Sequence, residues 1–118
     1  MGAELDFLAA IVESSDDAII GITPEGHIAS WNSGARRIYG YAVAEVIGRP
    51  VTILVLPERH DEITLLQKKL HRGERVKHLQ TLHLTKNGQT LIVSLTVSPI
   101  IDNTGRLLGA SLITRDMT

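Results

Sequence analysis

Histidines, hydroxyls and carboxylates are the side chains of this sequence that could do chemistry, and their spacing decides how much. The 118-residue chain has five histidines and no cysteine. Without cysteine there are no disulfides, thiolate metal sites, iron–sulfur clusters or cysteine nucleophiles. No pair among His60, His71, His78 and His83 has the close spacing of a zinc site. Ser94, Ser98 and Ser111 lack the glycine flanks of a nucleophile elbow. Asp61 and Glu62 are neighbours at an exposed helix start, a setting for dipole compensation rather than a raised pKa. His71, between Lys69 and Arg72 at the helix end, reads as a dipole-stabilising surface residue. No catalytic constellation stands out.

The elements that position these residues follow from hydropathy patterns. From Leu91 to Ser98 the chain alternates, with Leu91, Val93, Leu95 and Val97 on one face and Ile92, Ser94, Thr96 and Ser98 on the other. That period of two predicts a half-buried antiparallel strand. Lys86-Asn87-Gly88 and Asp102-Asn103-Thr104-Gly105 flank it as turns, so strands over 76–86 and 106–115 complete a meander. Carrying the alternation back from Leu82 and Leu84 puts Val76, His78 and Gln80 on one inner face. A histidine and an amide there could orient a small polar ligand; the competing reading has both satisfied in the core or at a sheet edge. His83 then points to solvent.

Upstream, Leu5, Leu8, Ile11 and Val12 predict an amphipathic helix over 4–14. Strands over 18–22 and 27–31 form a hairpin around Thr23-Pro24-Glu25-Gly26. Asn32 is placed to cap a short helix closed by Gly40, and a further turn covers 43–47. The apolar run Val51–Leu56 belongs under the sheet. The longest helix starts at Pro57 and ends before Gly73, with Ile63, Leu66 and Leu70 as its buried stripe. The result is an antiparallel α+β domain in a single unit, residues 1–118, with a flanking helix over 1–14 and a core over 17–118. Net charge is −1, with no basic stripe, so neither nucleic acid nor an anionic membrane is the expected partner. No apolar run is long enough to span a bilayer and no signal peptide is evident, which with the missing cysteines suits a cytoplasmic location.

In this order the residues resemble PAS domains of the bacterial S-box type. The likeness rests on Asp17-Ala-Ile-Ile, Trp31-Asn32, Tyr39-Gly40-Tyr41, Glu45-Val46-Ile47-Gly48, Pro57-Glu58-Arg59, Gly73-Glu74-Arg75-Val76, Lys86-Asn87-Gly88, Val93 to Ile100, and the closing Arg115-Asp116-Met117-Thr118. The resemblance implies a five-stranded antiparallel sheet in spatial order 2-1-5-4-3 with helices on one face. It also implies a sensory or interaction module of a larger signalling protein such as a sensor histidine kinase or a diguanylate cyclase. Such a module is not itself an enzyme. It pairs with a second copy through its N-terminal helix and outer sheet face. Asp116 and Thr118 would hand the signal to a following output domain.

Ligand expectations follow from the same likeness. Haem-binding relatives take an axial histidine from the helix that carries His60, but here it falls in the exposed first turn. Trp31 could stack on a flavin, against a competing role in core packing. The photoactive flavin branch needs a cysteine that this chain lacks. With one Phe, one Trp and two Tyr there are few aromatic walls for a large planar cofactor, so a small acid or no ligand fits better than haem or flavin. A ligand would sit against Leu95 and its neighbours, with His78, Gln80 and Trp31 as the candidate contacts.

Overall fold

Tight turns and alternating strands dominate the computed structural model, which describes residues 2–118. Helix α1 (Gly2–Ser14) precedes a hairpin of β1 (Ala18–Ile22) and β2 (Ile28–Trp31). Then come α2 (Ser33–Tyr39), α3 (Val43–Val46) and two 3-10 turns, Val51–Leu54 and Pro57–Arg59. Helix α4 (His60–His71) leads into the meander of β3 (Val76–Leu84), β4 (Thr90–Ile101) and β5 (Leu107–Asp116). The strands form one antiparallel sheet in the order β2-β1-β5-β4-β3. The two ends of the chain therefore meet in the centre of the sheet, where β1 pairs with β5.

β4 sorts its side chains as its alternation predicts. Val93, Leu95 and Val97 are buried, while Ser94, Thr96 and Ser98 are half-buried on the other face. Each of the three apolar side chains contributes roughly 1.5–3 kcal/mol by leaving water. Leu95 and Val97 pack with Ile20, Ile22, Ala110 and Leu112 of the central strands and with Leu54, Val51 and Leu70. The run after Pro50 thus belongs in the core, although as a 3-10 turn. Ile63 and Leu66 of α4 pack against the same cluster, so the stripe on the long helix lies where its spacing puts it. The α-helix itself starts at His60, because Pro57–Arg59 closes as a separate 3-10 turn.

Asn32 organises the opposite end of the core. Its Oδ1 accepts from Ala35 N at 2.9 Å, the N-cap bond of α2, and also from Ile19 N at 2.9 Å. Its amide donates to the carbonyls of Val12 at 2.8 Å and Asp17 at 3.1 Å. One buried side chain thereby ties α1, β1 and α2 together. The packing is close enough that a Cβ at Gly34 would lie 2.1 Å from the Asp17 carbonyl oxygen, so only glycine serves there.

α1 departs from the usual behaviour of an amphipathic helix. It forms over the predicted residues, but none of them is buried, and Leu5, Phe7, Leu8 and Ile11 are all half or more exposed. Among the described residues its side-chain hydrogen bonds to the rest of the domain lie at its C-terminal end, through Asn32 and through Glu13, whose carboxylate accepts from Ser33 N and Ser33 Oγ.

β3 reverses the expected phase. Thr81, His83 and Thr85 are buried, and His78 and Gln80 are exposed. Gln80 pairs with Ser94 and Leu82 with Ile92, both on the outer face of β4, whereas Thr81 pairs with Val93. A bulge between Val76 and Leu79 absorbs one extra residue and places His78 at φ 51. The inference from Leu82 and Leu84 failed because on this edge strand the leucines cover the outer face. Thr81 and His83 are satisfied by partners distant in sequence, and the Thr85 hydroxyl accepts from Gln89 N at 3.1 Å.

Candidate functional site

β3, α4, the Pro57–Arg59 turn and α2 bring together a chain of polar groups running from the surface into an otherwise apolar core. α4 presents Glu62 one turn in, and β3 presents Thr81 and His83 from alternate positions of the inner face. Thr81 Oγ1 donates to Glu62 Oε1 at 2.6 Å, and Arg59 Nη1 donates to Glu62 Oε2 at 2.7 Å. Arg59 also donates to Thr81 Oγ1 at 3.4 Å. On the far side, the Tyr39 hydroxyl and His83 Nδ1 share a 2.6 Å hydrogen bond. The rings of Trp31, Tyr39 and His83 follow one another at centroid distances of 5.6 and 5.7 Å.

Burial dominates the charge state of His83 and Tyr39, and hydrogen bonds and a cation that of Glu62. Burial pushes the His83 imidazole down to about 4, against the pull of the Glu62 carboxylate, so the ring is neutral at pH 7. Burial also pushes the Tyr39 phenol up; the nearby Thr114 hydroxyl opposes this and the Asp116 carboxylate adds to it. For Glu62, burial raises the pKa, but the Thr81 hydroxyl and the Arg59 guanidinium, helped by His83, outweigh it and leave the carboxyl below its ordinary value. Both Glu62 oxygens and His83 Nδ1 are already engaged, so neither group is free to take a proton from a substrate. What the cluster can do is orient a small polar group by hydrogen bonding.

The space beside it is small. A void of about 20 Å³ lies among Glu62, Thr81, His83, Leu66 and Leu95. A second, of about 30 Å³, lies among Gln67, Leu70, Val97 and Leu112. Each holds about one or two waters. Gln67 Oε1 and Thr114 Oγ1 are buried without a hydrogen-bond partner, Thr114 despite lying beside the Tyr39 hydroxyl. A haem or flavin does not fit here, since ligand pockets run to about 300 Å³ or more. His60, whose Nε2 lies 3.3 Å from the Val55 carbonyl, is exposed. Among the described residues no group of three or more His, Asp or Glu is placed to hold a metal ion.

Of the residues singled out from the sequence, Leu95 lines the inner void and Trp31 joins the cluster through Tyr39. Trp31 is a core residue, 6% exposed, with Nε1 donating to the Tyr41 carbonyl at 3.0 Å. His78 and Gln80 are not part of the site; both lie on the outer face for the reason given above. His83, read as exposed, is instead 4% exposed and central. Asp116 and Thr118 lie at the C-terminal end of β5, where Thr118 N donates to Asp116 Oδ1 at 2.9 Å and Met117 N donates to the Ile92 carbonyl at 2.8 Å. The residues missed were Glu62, Thr81, His83 and Tyr39. The Thr81-His83-Thr85 alternation was a visible signal, but polar residues at period two normally mark a solvated face. Replacing Thr81 with valine is expected to strand one Glu62 oxygen and cost about 1–3 kcal/mol, measurable by urea denaturation.

Comparison with known proteins agrees with this architecture. The family model described as "PAS fold" matches residues 6–117. The chain is 32% identical over 106 residues to Two-component system protein A of Emericella nidulans, covering 87% of this chain and 15% of that protein. It is 29% identical over 113 residues to the Oxygen sensor protein DosP of Escherichia coli, covering 94% of this chain and 14% of that one. The chain therefore spans only about one-seventh of the length of these relatives. Among solved structures, the PAS domain of a protein from Colwellia psychrerythraea superposes with a TM-score of 0.87 at 28% identity, covering 98% of both chains. Matched over nearly its whole length, with the same sheet and helices, this chain belongs to the PAS family.

Proposed function

We propose that the domain is a homodimerising signalling module of a larger cytoplasmic protein, in which α1 and the outer sheet face form the contact between copies. The observation that carries this is α1 itself. A 13-residue helix with Leu5 at 62%, Phe7 at 68% and Leu8 at 58% exposure is marginal alone in water and gains stability by packing that face. The outer sheet face offers a matching surface, with Ile92 and Ile113 about 40% exposed among serines and threonines. A symmetric pair would bring each α1 to its partner. β5 then carries the state of the sheet to Asp116 and Thr118, and from there to an output domain such as a histidine kinase or a diguanylate cyclase. The domain catalyses nothing in this reading. No helix among the described residues is long and apolar enough to cross a membrane.

Sedimentation equilibrium tests the proposal. The expected result is a dimer in the micromolar range, weakened roughly 30-fold or more when Phe7 and Leu8 are both replaced by glutamate. A wild-type chain that stays monomeric at millimolar concentration contradicts it.

A second reading has the core binding a small polar ligand, and it is supported by the unpartnered Gln67 Oε1 in the void among Leu70, Val97 and Leu112. Such a ligand enters only if α4 moves away from the sheet. Native mass spectrometry of protein purified from its host would detect a bound mass, and a bare polypeptide mass with no visible absorbance counts against this reading.

A further inference from the structure

The bulge in β3 sets His78 facing a groove on the outer side of the sheet, away from the core cluster. The groove has a volume of about 370 Å³, with Ser94 and Thr96 of β4 and Ile113 of β5 among its lining and Arg75, Lys77, His78 and Arg115 also bordering it, so it adjoins the proposed contact between copies at Ile113. Three of the chain's 12 lysines and arginines meet there although the whole chain carries a net charge of −1. One carboxylate, Asp17, also lines it and shares charge with Arg115 at 3.4 Å. Among the described residues Arg75 and Lys77 have no carboxylate partner: Arg75 Nε donates to Ser98 Oγ at 2.9 Å, and Lys77 makes no ion pair.

The backbone is arranged around this groove at some cost. His78 is the only non-glycine at positive φ among the described residues. Instead of a ladder bond, its N–H donates to Thr96 Oγ1 at 3.2 Å. The Thr96 hydroxyl proton therefore stays free to point into the groove, beside the Ser94 hydroxyl. Guanidinium forks, an ammonium and two hydroxyl donors around a pocket of this size match a tetrahedral oxyanion.

We propose that the groove among Arg75, Lys77, His78, Ser94, Thr96 and Arg115 binds a phosphate group, either inorganic phosphate or the phosphate of a small metabolite. The geometry leaves a net charge of about +2 from Arg75, Lys77, Arg115 and Asp17 for the ligand to neutralise. The site stands independently of the core-ligand reading, because it lies on the opposite face of the sheet.

Titrating the isotope-labelled chain with inorganic phosphate, at ionic strength held constant with chloride, tests the site by amide NMR shifts. Saturable shifts at His78, Thr96 and Ser94 with a millimolar dissociation constant are expected. Lys77→Gln should weaken binding about fivefold, the effect of losing one charged hydrogen bond. His78→Gly tolerates the positive φ, so a folded variant with weakened binding reports loss of the imidazole alone. Lys69→Gln on α4 should change nothing. A parallel titration with glycerol 3-phosphate separates the sources: tighter binding assigns the site to a phosphorylated metabolite, weaker binding to the free ion, and either upholds it. Shifts that stay linear and equal at Lys68, Lys69 and the groove overturn the proposal, as does Lys77→Gln binding like wild type. The titration is run with Phe7 and Leu8 both replaced by glutamate, which keeps the copies apart, so that shifts from the proposed contact through Ile113 do not enter.

Discussion

Replacing Asn32 with alanine is expected to lower the stability of the domain by about 3 kcal/mol, one of the two largest effects the structure supports. The helix cap accounts for about 1 kcal/mol. The rest comes from Ile19 N, Val12 O and Asp17 O, each left without its 2.8–3.1 Å partner in a site where Asn32 is only 3% exposed. Losses within one network do not add fully, which keeps the total below the sum of its parts. The measurement is urea denaturation, read as a lower midpoint at unchanged slope. Asn32→Ser should recover the cap alone, about 1 kcal/mol. Because Val12 O belongs to α1, the alanine variant should also loosen the C-terminal end of that helix. A loss under about 1 kcal/mol would mean that the four bonds are not jointly engaged.

The second large effect is a loss of stability on mild acidification, traceable to His83. Its folded pKa of about 4 lies below the ordinary 6.5. Above pH 6.5 both folded and unfolded chains hold the ring neutral and no difference arises. As pH falls below 6.5 the unfolded chain takes a proton that the folded one refuses until about pH 4, so stability drops through that window. His83→Gln keeps a polar partner for Tyr39 and cannot titrate. Between pH 6.5 and 4.5 wild type should therefore lose about 2 kcal/mol more than the variant. The window stops at 4.5 because Glu62, with its lowered pKa, withdraws its own contribution only below that value. Parallel stability curves for the two proteins would show that the ring titrates freely.

The fold was largely legible in the sequence because its elements obey local rules. β4 alternates cleanly, and Asn32 has the side chain a helix cap needs. α4 carries Asp61 and Glu62 in its first turn and Lys68, Lys69 and His71 in its last, as the helix dipole favours. The polar site was not legible for a different reason. Its bonds join Arg59 to Thr81 and Tyr39 to His83, 22 and 44 residues apart, and no local pattern marks such pairs. The phase of β3 was misread because Leu82 and Leu84 cover the outer face, and an alternation read one residue out moves every side chain to the other face. Likewise the cap was readable at Asn32, but its bonds to Val12, Asp17 and Ile19 were not. The stripe of α1 was readable too, but nothing in its spacing said that the monomer leaves it uncovered.

The central claim, that α1 of one copy lies on the outer sheet face of another, can be tested with one spin label. The chain has no cysteine, so Glu4→Cys provides a unique attachment point on α1. Labelled protein is mixed with an isotope-labelled, unlabelled-at-Glu4 partner, and only relaxation passing between copies is detected. The account predicts broadening of the Ile92 and Ile113 amides on the sheet, with α4 unaffected. Broadening confined to α4, or none at a concentration where the chains should be dimeric, would contradict it.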